Sequence, residues 1–236
     1  MPERQLPTPS VPDLACIEGE TFAAVIESLT AYYEGDGCPW NYRVGTRAIK
    51  LAYKGFDRLD LLLASCQQIK NKQGRISNDE IIQLAAPKAF GRATQVFDLP
   101  ARKFSFGRKR RAAYRVPFFF VEDGIVKLYY LQPRKQRGPT TDQLGMVAKI
   151  HKQYLLDTEF FGQPSNVEYV NLGALEKNGP RVVRTHVLES LNLWSDQRLE
   201  DRLTLISEAL DKIEADGVVK SRRRNSRPEP SMPLFD

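Results

Sequence analysis

Arginine and lysine side chains are concentrated in one stretch of the chain, from Ala101 to Thr141. Eleven basic residues stand there against two acidic ones, Glu122 and Asp123, an excess of nine, whereas the whole chain has an excess of six. Guanidinium and ammonium groups bind phosphates through charge and hydrogen bonds. The stretch therefore predicts the binding of a polyanion, most simply a nucleic acid.

Ten of these basic residues are the candidate nucleic-acid contacts. They are Arg102, Lys103, Arg108, Lys109, Arg110, Arg111, Arg115, Arg134, Lys135 and Arg137. Phe104, Phe106 and Tyr114 interleave with them, and such rings either stack on unpaired bases or pack in the core. A second basic run, from Lys220 to Arg227, contains no acid, so the rest of the chain is negative. This separation of charge favours steering towards phosphate.

Other chemistries find little support in the residue types. The three cysteines lie far apart without a CxxC pair, and two histidines are too few for a zinc site of ordinary spacing. No complete catalytic signature is present. We therefore predict no catalytic residue, no metal site and no cofactor.

The elements that would position the basic residues follow from hydrophobic spacing. Apolar residues at helical intervals predict helices, and short runs rich in β-formers predict strands. The predicted helices cover 21–33, 56–70, 77–84, 142–156 and 195–215, and the predicted strands cover 94–99, 103–106, 112–121, 125–131 and 167–172. Pairing of the second and third strands would place Arg108 to Arg111 together in their connection.

This order predicts an α/β (α+β) fold in which helices flank a central mixed sheet, with an additional C-terminal helix. The expected divisions are a flexible proline-rich leader (1–14), a mainly helical region (15–92), an α/β core with the basic strand meander (93–216) and a disordered basic tail (217–236). The leucine and isoleucine seam of 195–215 is either core or a surface for another subunit.

The stretch Val116 to Gly124, followed by Gln132-Pro133-Arg134-Lys135, resembles the PD-(D/E)XK nuclease superfamily. That family has an α-β-β-β-α-β core, with Pro-Asp on the second strand and Glu-x-Lys on the third. Pro117-Phe118 stands at the Pro-Asp place and Gln132-x-Arg134 at the Glu-x-Lys place. The family's acids hold Mg²⁺ that activates water. Phe118 cannot ligate a metal and Arg134 would repel one, so the resemblance implies a nuclease-like core without hydrolysis.

The resulting hypothesis is a cytoplasmic nucleic-acid-binding protein, with DNA favoured, that acts as a non-catalytic component of a larger DNA-processing or defence assembly. The alternatives are a metal-dependent nuclease with an atypical site, built on displaced acids such as Glu122, Asp123 and Glu168, and an adaptor for acidic protein partners. The C-terminal Leu234 and Phe235 resemble the short Leu-Phe peptides that dock onto bacterial sliding clamps, and are candidate partner contacts. No membrane association is expected, since no apolar run approaches the length of a membrane span.

Overall fold

This chain folds around a five-stranded mixed sheet, and a run of helices precedes the first strand. The computed structural model describes residues 6–35, 40–136, 138–176, 178–217 and 219. The strands are β1 (Gln95–Asp98), β2 (Lys103–Phe106), β3 (Arg110–Ala113), β4 (Phe118–Glu122), β5 (Ile125–Gln132), β6 (Ser165–Asn171) and β7 (Arg184–His186). The helices are α1 (Val11–Ala15), α2 (Phe22–Glu34), α3 (Arg43–Tyr53), α4 (Leu59–Ala64), α5 (Lys72–Ala85), α6 (Thr141–His151), α7 (Asp157–Glu159) and α8 (Asp196–Asp216).

Within the described residues, five strands form the sheet in the order β1-β4-β5-β6-β7, and β2 and β3 form a separate hairpin. β1, β4 and β5 pair antiparallel. β6 lies parallel to β5, with α6 in the crossover between them. From α5 onward the sheet is therefore built in the order helix, three strands, helix, strand. The predicted α/β fold with an additional C-terminal helix is confirmed.

Each face of the sheet carries its own apolar cluster, because side chains alternate along a strand. On one face Leu128, Tyr130 and Tyr169 pack with α1, α2, α6, α8 and the β2-β3 hairpin. On the other face Phe118 and Tyr129 pack with α3, α4 and α5. The hairpin, which carries much of the basic stretch, is thus docked beside α8 on the first face.

The proline-rich leader was predicted to be flexible, and residues 6–14 do not follow that prediction. Leu6, Val11 and Leu14 are buried in the first cluster. Pro12 stands in the first turn of α1, where backbone amides have no acceptor within the helix, so the missing N–H of proline costs no hydrogen bond. Apolar side chains spaced along this short segment therefore outweigh its proline content.

Two further boundaries differ from the sequence-based expectation. The strand predicted over 112–121 is two strands, because Pro117 lacks a donor for the ladder and Arg115 has a positive φ of 63°. The helix predicted from Ser77 begins at Lys72, capped by Asn71, whose side chain accepts from the Gly74 amide at 2.7 Å. Asn78 lies inside this helix and accepts a hydrogen bond from the Gly45 amide at 2.8 Å.

In the described part of the chain, no helix is long and apolar enough to cross a bilayer. The leucine and isoleucine seam of α8, which could have served a second subunit, is buried in the first cluster instead.

Candidate nucleic-acid interface

The β2-β3 hairpin gives its basic residues two different environments. Lys103 pairs with Ala113, Ser105 with Arg111, and Phe106 with Arg110. Phe104, Phe106, Arg110 and Ala112 are buried, whereas Lys103, Ser105 and Arg111 are exposed. Because successive side chains of a strand point to opposite faces, Arg110 and Arg111 lie on opposite sides of the hairpin. The expectation that Arg108 to Arg111 project together from a connection is wrong.

Arg110 attaches the hairpin to α8. Its side chain is fully buried, with Nη1 and Nη2 at 2.6 and 2.9 Å from the two carboxylate oxygens of Glu214, and Nη2 also donates to Asp211. Lys109 joins the same carboxylates, at 3.2 Å from Glu214. Burial would raise the pKa of Glu214, but the hydrogen bonds from Arg110 and from the Leu6 amide hold it below its ordinary value. Arg110 is therefore a structural residue and is wrong as a nucleic-acid contact.

The turn of the hairpin is held against the same helix. Gly107 has a positive φ of 55°, and a Cβ at this position would lie 2.0 Å from the Ser207 hydroxyl of α8. Only glycine fits such an approach. The fixed turn leaves the next residue, Arg108, exposed.

The ten predicted contacts differ in whether their charge is already paired with a carboxylate of the protein. Within the described part of the chain, Lys103, Arg108, Arg111, Arg115 and Lys135 form no ion pair, and the first four are exposed. Arg102 pairs with Glu159, and Arg134 with Asp13. Lys109 and Arg110 are committed to α8, and Arg137 lies outside the described residues. We define the basic hairpin face as Lys103, Arg108 and Arg111.

The rings that the sequence offered for base stacking are core residues. Phe104, Phe106 and Tyr114 are between 4 and 6% exposed. Phe104 stacks on Tyr154 at 5.2 Å, and the Tyr114 hydroxyl donates to the Tyr154 carbonyl at 2.9 Å. That carbonyl lies in a π-helical turn, Lys152–Leu156, where the ordinary helical hydrogen bonding is altered. Phe104 and Tyr114 thus fix the hairpin and its base to this π-helical turn rather than meeting a ligand.

The two places compared with the nuclease motif lie on opposite faces of the sheet. Phe118 pairs with Tyr129 and stacks on it at 4.6 Å within the second cluster. Gln132 is three residues beyond Tyr129 on β5, which places it on the other face, where it is 5% exposed. The two side chains therefore do not face a common site. Acidic residues placed at Phe118 and Gln132 would therefore not form a metal site together.

Arg134 meets an acid that the sequence did not connect with it. Asp13 of α1 is 5% exposed, and Arg134 and the Ser10 hydroxyl both donate to its carboxylate. The segment predicted as a leader thus supplies the counter-charge of a predicted binding residue. The alternation of proline and polar residues gave no signal of this contact.

A charge cluster around Arg92 contains Glu122 and Glu168, two of the acids named for the nuclease alternative. Arg92 donates to both oxygens of Glu122 at 2.7 Å and to Glu168 at 3.0 and 3.2 Å. Lys127 also donates to Glu122, at 2.6 Å, and the Tyr53 hydroxyl donates to Glu168. Hydrogen bonds from Arg92, and then from Lys127, lower the pKa of Glu122 to about 2, although burial alone would raise it. Both carboxylates are neutralised by cations within the protein.

Asp123 takes no part in this cluster. It has a φ of 53° and the following Gly124 a φ of 75°, as the tight turn between β4 and β5 requires. In the described residues, no group of three or more histidine, cysteine, aspartate or glutamate side chains is arranged to hold a metal ion. The acids of the nuclease alternative are thus divided between an ion-pair cluster and a turn.

The predicted partner contacts Leu234 and Phe235 lie outside the described residues, as does the basic run of 220–227.

Comparison with family models, curated proteins and solved structures finds no match to this chain. The case for a function therefore rests on the geometry of its own residues.

Proposed function

We propose that this protein binds nucleic acid, preferably DNA, through the basic hairpin face, as a non-catalytic component of a larger DNA-processing or defence assembly. The observation that carries the proposal is that Lys103, Arg108 and Arg111 are exposed and have no carboxylate partner in the described residues. Unpaired cations keep their full charge for phosphates, whereas paired ones must first break a salt bridge.

Rigidity of the hairpin supports the same proposal. Arg110 and Gly107 fix it against α8, and Phe104 fixes it against Tyr154. The three cations are therefore presented on a preorganised surface, so that less conformational entropy is lost when phosphates bind. Such contacts give affinity and position rather than sequence preference.

A nuclease-like core, and with it the preference for DNA, is part of this proposal and rests on the order of elements along the sheet alone. The engagement of Glu122 and Glu168 by Arg92 favours holding nucleic acid over cleaving it. A cytoplasmic location is part of the proposal, since Cys16 and Cys66 are free thiols.

One experiment in the presence of Mg²⁺ separates binding of a duplex from its cleavage. A labelled duplex is titrated with the full chain between about 50 and 200 mM salt, and each sample is then run on a denaturing gel. We expect affinity that falls steeply with salt while the strands stay intact. Failure to bind at the lower salt would contradict the proposal. Metal-dependent cleavage that is lost in Glu122→Gln would support the nuclease instead.

A further inference from the structure

Three phenylalanine rings form a partly exposed stack at the β1 margin of the sheet. Phe97 of β1 pairs with Phe119 of β4, and their rings are stacked at 5.1 Å with an angle of 18°. Phe160 packs edge-on against Phe119 at 5.0 Å. β1 is an edge strand, and the Phe97 side chain is 43% exposed. An aromatic surface thus remains open to solvent at the β1 edge of the sheet.

Phe161 follows Phe160 in the chain and stands in a turn. The Gln163 amide donates to the Phe160 carbonyl at 3.0 Å, and Gly162 has a φ of 75°. The turn presents Phe161 with 85% of its side chain exposed, more than any other large apolar residue of the described part. A ring held this far into water has no packing role in the monomer.

Arg102 connects the rings with the basic hairpin face. Its guanidinium contacts Glu159 at 3.2 Å, one residue before Phe160. Its carbonyl accepts the Tyr114 amide at 3.3 Å, at the base of the hairpin, and Lys103 follows in the chain. The acids beside the rings are neutralised, since Glu159 pairs with Arg102 and Asp157 with Lys152. Arg102 thus joins the turn that carries Phe160 and Phe161 to the base of the hairpin, one residue before Lys103.

We propose that the exposed rings of Phe97 and Phe161, with Phe119 and Phe160 packed on the core beside them, form a stacking platform for the unpaired bases of a single-stranded nucleic acid whose phosphates lie on the basic hairpin face. Aromatic rings next to cations suit this ligand, because every base has a flat π-face and every nucleotide a phosphate. Bases within a duplex are stacked on each other and do not reach such rings. This inference rests on the proposed function and names its preferred substrate as a single strand.

The platform is tested with Phe161→Ser, since the exposure of this ring leaves the fold intact. Phe56→Ser is the matched control, a 40% exposed phenylalanine between α3 and α4. The probes are a single strand containing 2-aminopurine, whose fluorescence falls when it stacks, and the duplex of the same sequence. We expect Phe161→Ser to weaken single-strand binding about tenfold and to reduce the quenching, with duplex affinity and the control unchanged.

The outcomes distinguish this inference from the proposed function. Unchanged single-strand affinity in Phe161→Ser, or equal losses on both probes, overturns the platform while binding through the hairpin stands. A variant with Lys103, Arg108 and Arg111 all replaced by alanine reports on the proposed function itself. If that variant binds both probes as wild type does, the proposed function fails.

Discussion

Burial keeps the His151 imidazole neutral. The ring is fully buried on α6, with Nδ1 at 3.1 Å from the Tyr169 hydroxyl and Nε2 at 3.4 Å from the Tyr114 carbonyl. The carbonyl can only accept, so Nε2 carries the proton and Nδ1 accepts from Tyr169. Desolvation lowers the pKa of His151 to about 4. The residue is thus a core histidine and not a ligand, as its position on an apolar helical stripe suggests.

This histidine predicts a defined loss of stability in acid. The unfolded chain takes up the proton near pH 6.5 and the folded one only near pH 4, so His151 favours folding above about pH 6.5 and loses this effect as the pH falls. We expect about 2 kcal/mol to be lost by about pH 5. Urea unfolding of wild type and His151→Gln between these pH values measures the difference. Parallel pH curves for the two proteins would show that His151 does not titrate in this way.

The neighbouring arginines of β3 show what residue type alone leaves undecided. Arg110 and Arg111 have the same chemistry, but one is buried in a carboxylate pair and the other is exposed. The sequence identified both as candidate contacts. It could not separate them, because a shift of one residue in the strand register exchanges the two faces.

At the scale of elements, the attachment of the hairpin to α8 depends on a buried charge. We expect Arg110→Met to destabilise the protein by about 3 kcal/mol, because Glu214 and Asp211 lose the buried guanidinium and keep only the half-exposed Lys109 as a cationic partner. Arg111→Met is the matched control on the same strand and should change stability by less than about 0.5 kcal/mol. Urea denaturation measures both. Equal effects of the two changes would mean that Arg110 does not hold the hairpin.

Regular elements with clear periodicity followed from the sequence, and those defined by distant contacts did not. The prediction for α8 is confirmed because a serine cap and a long apolar seam specify a helix locally. β7 was missed because three residues at the edge of a sheet carry no periodic signal. The packing of residues 6–14 and the cluster around Arg92 depend on partners far away in the chain, which local spacing does not encode.

At the scale of the whole molecule, some charged residues form ion pairs that connect elements, and others are exposed without an ion pair in the described residues. The pairs around Arg110 and Arg92 hold elements together, whereas the basic hairpin face and the rings of Phe97 and Phe161 are exposed. Composition predicted the excess of positive charge but not its division. We therefore propose binding of nucleic acid by a particular face, and not merely by a positively charged protein.

A charge-matched comparison tests this claim most directly. One variant carries alanine at Lys103, Arg108 and Arg111. The other carries alanine at Lys70, Lys72 and Lys88, which are also exposed and have no ion pair in the described residues. The measurement is the slope of log affinity against log salt for a duplex. We predict that the hairpin variant lowers this slope by about 2 to 3, with little change in the other. Equal losses in both variants would show that net charge alone accounts for binding, and would contradict the account.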